Sequence, residues 1–186
     1  MLVLHHDHPS PASAVAVLRL QRLADEGLEV SFSGLETLPL DAALPVTLDV
    51  LAELDRWRDP AAELGLELRR PSRRPTTGRA HLVAAAVAEP AGLGASWRLA
   101  CYRGYWEQDL DLGDPAVLLD LAATAGLDAE RTEEVLHDTA LLAGIRRRAH
   151  TLRGSGVGGV PVLSVDGALV PGTLSEDELR QLAALR

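Results

Sequence analysis

The sequence predicts a mixed α/β fold in which a βαβ unit at the start of the chain and a ββα unit at its end share one sheet, with an all-helical insertion between them. Strand-like runs fall only in the outer parts, at residues 2–4, 29–33 and 162–170, whereas the long middle stretch keeps helical spacing. Two turns mark the joins. Asp7-His8-Pro9-Ser10-Pro11 follows the first apolar run as a strand-to-helix turn does, and Gly159-Val160-Pro161 precedes the last pair of strands.

Each element has its own signal. Leu2-Val3-Leu4 ends in polar His5-His6-Asp7, the pattern of a buried parallel strand emerging at the carboxyl edge of a sheet. Val15, Leu18 and Leu23 recur near helical spacing, and Gly27 offers a stop. Glu29-Val30-Ser31-Phe32-Ser33 alternates polar and apolar, which predicts a second strand and completes a right-handed βαβ unit. Leu44, Leu48, Leu51 and Leu54 predict an amphipathic helix over 44–57 that ends before Pro60, because the residue preceding a proline is pushed out of helical backbone angles. Leu66-Glu67-Leu68 reads as a short extended piece. Past the turn-rich segment 71–78, Thr76 or Thr77 caps a helix running to Glu89, and Trp97, Cys101, Tyr105 and Trp106 put bulk on one face of the next.

Asp114-Pro115 is a helix start, with Asp as N-cap and Pro as first residue, and Gly126 is its stop. Asp128 begins another helix, and 137–153 is a further one broken by Gly154-Ser155-Gly156. Asp166-Gly167 between two apolar runs is a hairpin turn, since both residues tolerate positive φ. Ser175 with Glu178 is a capping box leading a last helix through Leu185. The order is that of the thioredoxin topology, with residues 1–70 and 154–186 as the thioredoxin-like part and 71–153 as the helical insertion.

Composition narrows the function. The 186 residues, 47% apolar, suffice for a sizeable core. A net charge of −9 argues against a nucleic-acid partner, which needs clustered cations to displace counterions; Arg69-Arg70, Arg73-Arg74 and Arg146-Arg147-Arg148 read as solvated faces. Cys101 is the only cysteine, so neither an internal disulfide nor a dithiol cycle can form within one chain. No run approaches the roughly twenty apolar residues that span a bilayer, and no signal peptide is visible, so the expectation is a cytoplasmic protein with no membrane partner.

The candidate chemistry lies at the two turns. Ser10 would begin the first helix, where unpaired N–H groups and the helix dipole favour negative charge, and a serine hydroxyl there can donate to a ligand thiolate. The same residue can simply cap the helix, and Ser13 is expected to pack or cap. His8 stands next to Pro9-Ser10 and could act as a base or orient a ligand. His5-His6-Asp7-His8 has metal-binding residue types, but alternating strand side chains point to opposite faces, so no metal site is expected. A serine hydrolase fits poorly: there is no Gly-x-Ser-x-Gly elbow, and His81, His137 and His150 are scattered. Cys101 reads as a small core hydrophobe, and Trp97, Tyr102, Tyr105 and Trp106 either line a flat substrate pocket or belong to the core.

Together these segments resemble the DsbA-like oxidoreductase family, whose relatives include 2-hydroxychromene-2-carboxylate isomerases and kappa-class glutathione transferases. Asp7-x-x-Ser10-Pro11-x-Ser13 is similar to the Asp-x-x-Cys-Pro-x-Cys pattern and equally to the Asp-x-x-Ser-Pro-x-Ser pattern of the glutathione-using branch. Arg74-Pro75-Thr76-Thr77 with Ala80-His81, Tyr105-Trp106-Glu107 through Leu112-Gly113-Asp114-Pro115, and Gly159-Val160-Pro161 with Val165-Asp166-Gly167 resemble further family segments. The resemblance implies a cis Val160-Pro161 peptide whose free backbone groups hold a thiol-bearing peptide such as glutathione in the manner of an added strand. It implies Ser10 as the catalytic residue, with His8, Pro11, Ser13, Val160 and Pro161 binding the ligand.

Two departures open an alternative. Ala12 replaces the aromatic common between the motif positions, and Pro171-Gly172-Thr173-Leu174 lacks the polar groups that glutathione-using relatives often place there. The leading expectation is a protein unable to exchange disulfides that uses an external thiol, through Ser10, to isomerise or conjugate a small apolar substrate. The alternative is a redox-inactive binding module whose cis-Pro groove holds a peptide or small ligand. A homodimer is the assembly carried forward.

Overall fold

The computed structural model describes residues 2–39 and 42–185. In chain order the elements are β1 (Leu2–His6), α1 (Pro11–Asp25), β2 (Val30–Gly34), α2 (Leu48–Glu63), α3 (Gly78–Val83) passing into a π-helical turn (Ala84–Ala88), α4 (Gly94–Gln108), α5 (Pro115–Ala125), α6 (Ala129–His137), α7 (Thr139–Gly154), β3 (Val162–Val165), β4 (Ala168–Pro171) and α8 (Glu176–Ala184). The strands form one sheet in the order β2-β1-β3-β4. β1 runs parallel to β2, from Leu2 opposite Val30 to His6 opposite Gly34, and antiparallel to β3, from Leu2 opposite Val165 to His5 opposite Val162. The end of β1 and the start of β3 therefore share one edge, which brings the Asp7–Ser10 turn and Pro161 to the same end of the sheet.

Local chemistry accounts for most boundaries. Asp114, Asp128 and Asp138 each accept a backbone N–H with the side chain at the start of α5, α6 and α7, and Gly126 closes α5 at φ 79°. The hairpin turns through Asp166 and Gly167, both at positive φ, and the Ser175–Glu178 capping box is complete. One expectation fails. α2 starts at Leu48, because Leu44 bridges to Arg74, and it runs through Pro60 to Glu63. Proline forfeits one bond to the preceding turn, but Pro60 lies close to the helix end and fully buried Ala61 anchors that turn in the core. Leu66-Glu67-Leu68 forms no strand; both leucines are buried, and the Arg69 N–H donates to the Trp106 carbonyl at 3.1 Å.

One continuous apolar cluster joins the sheet to the helices, from Leu2, Leu4 and Leu163 through Val15 and Leu20 of α1 to Trp97 of α4, Leu121 of α5 and Leu136 of α6. Trp97, Tyr102, Tyr105 and Trp106 are at most 1% exposed, so these aromatics belong to the core. No helix among the described residues is long and apolar enough to cross a membrane.

Candidate functional site

The site is assembled where β1 stops and α1 starts. Ser10 takes an extended conformation, φ −96° and ψ 116°, and its Oγ accepts the Ser13 N–H at 3.1 Å, while Pro11 occupies the first helical turn, where a missing N–H costs nothing. The capping bond uses a lone pair of the Ser10 oxygen. Its O–H donates to none of the described residues, and Ser10 retains 9% exposure. Ser13 is fully buried, and its Oγ receives the Asp7 N–H at 3.4 Å, so it packs and braces the turn. Across the edge, Pro161 is buried and Val160 half-buried, the peptide between them is cis, and the Pro161 carbonyl accepts the Gly172 N–H at 3.1 Å.

Directly beneath lies a polar centre built on Asp7. Its Oδ1 accepts from the His8 N–H at 2.9 Å, Thr77 Oγ1 at 2.6 Å and His81 Nε2 at 3.0 Å. Its Oδ2 accepts from the Thr37 N–H at 2.7 Å and Thr37 Oγ1 at 2.6 Å, and Arg74 Nη2 in turn donates to Thr37 Oγ1 at 2.8 Å. Burial alone would raise the Asp7 carboxyl, but the hydrogen bond and charge of His81, with the bonds from Thr37 and Thr77, hold it well below the usual carboxylate range. A second buried carboxylate, Glu36, accepts the N–H groups of Thr77 and Gly78 at the start of α3 and pairs with Arg146 Nε at 3.2 Å.

Imidazoles surround this carboxylate. His8 stacks on His81, with centroids 4.7 Å apart and planes inclined by 22°, and His6 lies 5.6 Å from His8 and 5.5 Å from His81. His6 Nδ1 meets the Tyr102 hydroxyl at 3.0 Å. Both ring nitrogens of His8 and the Nδ1 of His81 are buried with no partner among the described residues. Burial, reinforced by His81, pushes His8 down to about 3, and the same causes hold His6 well below the usual histidine value. These rings are neutral at pH 7. A small cavity of about 40 Å³ reaches His6 and His81 from the side of β2, between Gly34, Phe32, Arg98 and Arg148.

Sequence reasoning placed Ser10, Ser13 and His8 on one turn and Val160-Pro161 on a facing edge. It did not bring His81 to Asp7, treating the histidines as scattered; it named Tyr102 only among the pocket or core aromatics, not as a partner of His6, and it did not find Thr37 or Glu36. One signal was present: Thr77 and His81 stand four apart at a helix start and so share a face. His137 and His150 are exposed. Cys101 is fully buried in α4, and burial pushes its thiol well above the usual range, so it is an inert core side chain.

Comparisons with known proteins agree with this architecture. The family model described as DSBA-like thioredoxin domain matches residues 7–184. No curated protein matches the sequence. Among solved structures, a probable DsbA oxidoreductase from Streptomyces coelicolor superposes with a TM-score of 0.82 at 24% identity, over 99% of this chain and 88% of that one. A 2-hydroxychromene-2-carboxylate isomerase superposes with a TM-score of 0.72 at 19% identity, over 99% and 93%. The cytosolic disulfide reductase DsbM from Pseudomonas aeruginosa, solved with GSH, gives 0.64 at 18% identity, over 99% and 96%. At these identities the likeness establishes the fold.

Proposed function

The chain belongs to the DSBA-like thioredoxin domain family, and because its single cysteine is buried in α4, we propose that the sulfur used at this site is brought by a bound small thiol, glutathione or a molecule like it. With one cysteine there is no CxxC pair, and dithiol exchange has no chemistry to run on. The observation that carries the reading is the Ser10 hydroxyl, which caps α1 through its oxygen and keeps its hydrogen for a ligand at the positive end of the helix.

A hydrogen bond to a thiolate contributes about 1.5–3 kcal/mol and the helix dipole about 0.3–1 kcal/mol. Together they lower a thiol from about 8.5 by roughly 1.3–3 pH units. At pH 7 the thiolate fraction rises from about one part in thirty to about 40% or more. The thiolate then adds to a carbonyl-conjugated double bond of a small apolar substrate, forming an S–C bond as the π pair moves onto the conjugated carbonyl. Protonation from solvent makes the adduct a conjugate; return of that pair after rotation breaks the S–C bond, re-forms the double bond as its isomer and releases the thiolate. The DsbM structure solved with GSH and the isomerase among the structural relatives support this reading.

Calorimetric titration with glutathione tests it. Wild type is expected to bind, with the thiolate absorbance of the complex titrating well below that of free glutathione, and Ser10→Ala is expected to return most of that shift. Absence of binding by both proteins removes the reading. A redox-inactive binding module is the second reading, supported by Val160, whose backbone N–H and C=O engage no described backbone partner. Binding without conjugation of chlorodinitrobenzene, and without insulin reduction, selects it.

A further inference from the structure

The polar centre near Ser10 holds ring nitrogens that its hydrogen bonds do not use, and the thiol chemistry at Ser10 does not call on them. Asp7, His8 and His81 are each at most 2% exposed and offer a carboxylate oxygen and ring nitrogens that all lie within 4.8 Å of one another. We propose that these three side chains bind one divalent cation of the zinc type, with His6 at its margin.

The independent observation is His8. Its imidazole is 1% exposed, and neither ring nitrogen has a partner among the described residues, although it lies against the Asp7 carboxylate and the His81 ring. Buried polar atoms are almost always paired, so two open nitrogens on one buried ring point to a partner that the chain itself does not supply. A neutral imidazole nitrogen is a good ligand for a borderline cation, and two nitrogens with one carboxylate oxygen make a donor set that leaves a further position open.

The geometry is close to what a metal requires. Bonds of about 2.0–2.2 Å in a tetrahedral array place ligand atoms about 3.3–3.6 Å apart, so a spread of up to 4.8 Å closes by about 1.2–1.5 Å through rotation of the His8 or His81 ring. The supporting contacts are already built. Thr37 N–H and Oγ1 hold Asp7 Oδ2, Thr77 Oγ1 holds Oδ1, and Tyr102 fixes the His6 ring, as outer partners of ligating side chains do. The cavity of about 40 Å³ lined by His81 and His6 reaches one side of the cluster and exceeds the roughly 10–15 Å³ that one water needs. The charge of Arg98 on its wall is taken up by Glu89.

Protein stripped with a chelator and titrated with Zn²⁺ is expected to bind one ion per chain with micromolar or tighter affinity. Affinity is expected to fall at least tenfold in His8→Gln and in His81→Gln, and to stay unchanged in His137→Gln and His150→Gln, which remove exposed imidazoles. X-ray absorption of the wild-type Zn²⁺ complex, which needs no variant to fold, is expected to count at least two imidazole nitrogens and a carboxylate oxygen. No binding at tenfold excess of Zn²⁺, a coordination shell with fewer than two imidazoles, or loss of affinity in the exposed variants alone overturns the proposal. The Ser10→Ala protein is expected to bind Zn²⁺ as wild type does, so this site and the thiol site fail or stand separately.

Discussion

Acid should unfold this protein earlier than its carboxylates require, because two buried imidazoles, His6 and His8, are held neutral in the folded chain. Below pH 6.5 the unfolded chain protonates both rings, while the folded chain resists, His8 down to about 3. The unfolded state thus binds more protons across that window, and stability, complete above pH 6.5, is lost as pH falls toward the folded value. His8 alone costs about 2 kcal/mol between pH 7 and pH 5 out of a typical total of about 5–15 kcal/mol, and His6 acts in the same direction. For a chain of this length the His8 contribution is a fall in Tm of about 4–8 °C. Asp7 adds nothing in this interval, being ionised in both states above about pH 4; its depressed value makes the loss steeper only below that. Urea denaturation followed by circular dichroism, at pH 7, 6 and 5 in the presence of a chelator, measures the effect. A free energy of unfolding constant to within about 1 kcal/mol across the interval would refute the burial of neutral imidazoles.

Other perturbations test separate contacts. Asp7→Asn replaces an acceptor-only group that takes five hydrogen bonds by one that turns donors toward donors, and should cost about 3 kcal/mol or more at pH 7, read from the denaturation midpoint; a loss under about 1 kcal/mol would contradict the network. Gly172→Ala puts a Cβ 2.7 Å from Pro161 Cβ and 2.8 Å from its carbonyl carbon, so stability should drop by about 1–3 kcal/mol and glutathione affinity should weaken with it; wild-type behaviour in both would mean that the 172 strand end does not buttress the Pro161 turn. Cys101 should ignore an aromatic disulfide reagent in native buffer and react fully in denaturant; rapid native labelling would show the thiol to be accessible.

Elements whose chemistry closes within about four residues were legible in the sequence. The N-caps at Asp114 and Asp128, the Asp166-Gly167 turn and the Ser175–Glu178 box specify their own geometry, and the structure has them where the sequence puts them. Pro60 misled because its penalty is local, whereas the gain that offsets it, the burial of Ala61 against the core, belongs to the tertiary fold. The polar centre was illegible for a related reason: His81 and Asp7 are 74 residues apart, and only the docking of α3 over the sheet edge joins them.

The histidine run carries the sharper lesson. Alternation along a strand would send His5 and Asp7 one way and His6 and His8 the other, and on that ground contiguous ligand types do not converge. β1, however, ends at His6. Asp7 and His8 stand in the turn beyond it, free of the two-residue period, and the Asp7 side chain doubles back to accept the N–H of His8 while it also meets His81. The residue that stops the strand thus frees its successors to face a common point. That point adjoins the Ser10 cap, since Ser13, whose N–H the cap accepts, itself receives the Asp7 N–H. Ser10 can therefore serve a ligand with its hydrogen while the turn that presents it is held in place by groups that never touch that ligand.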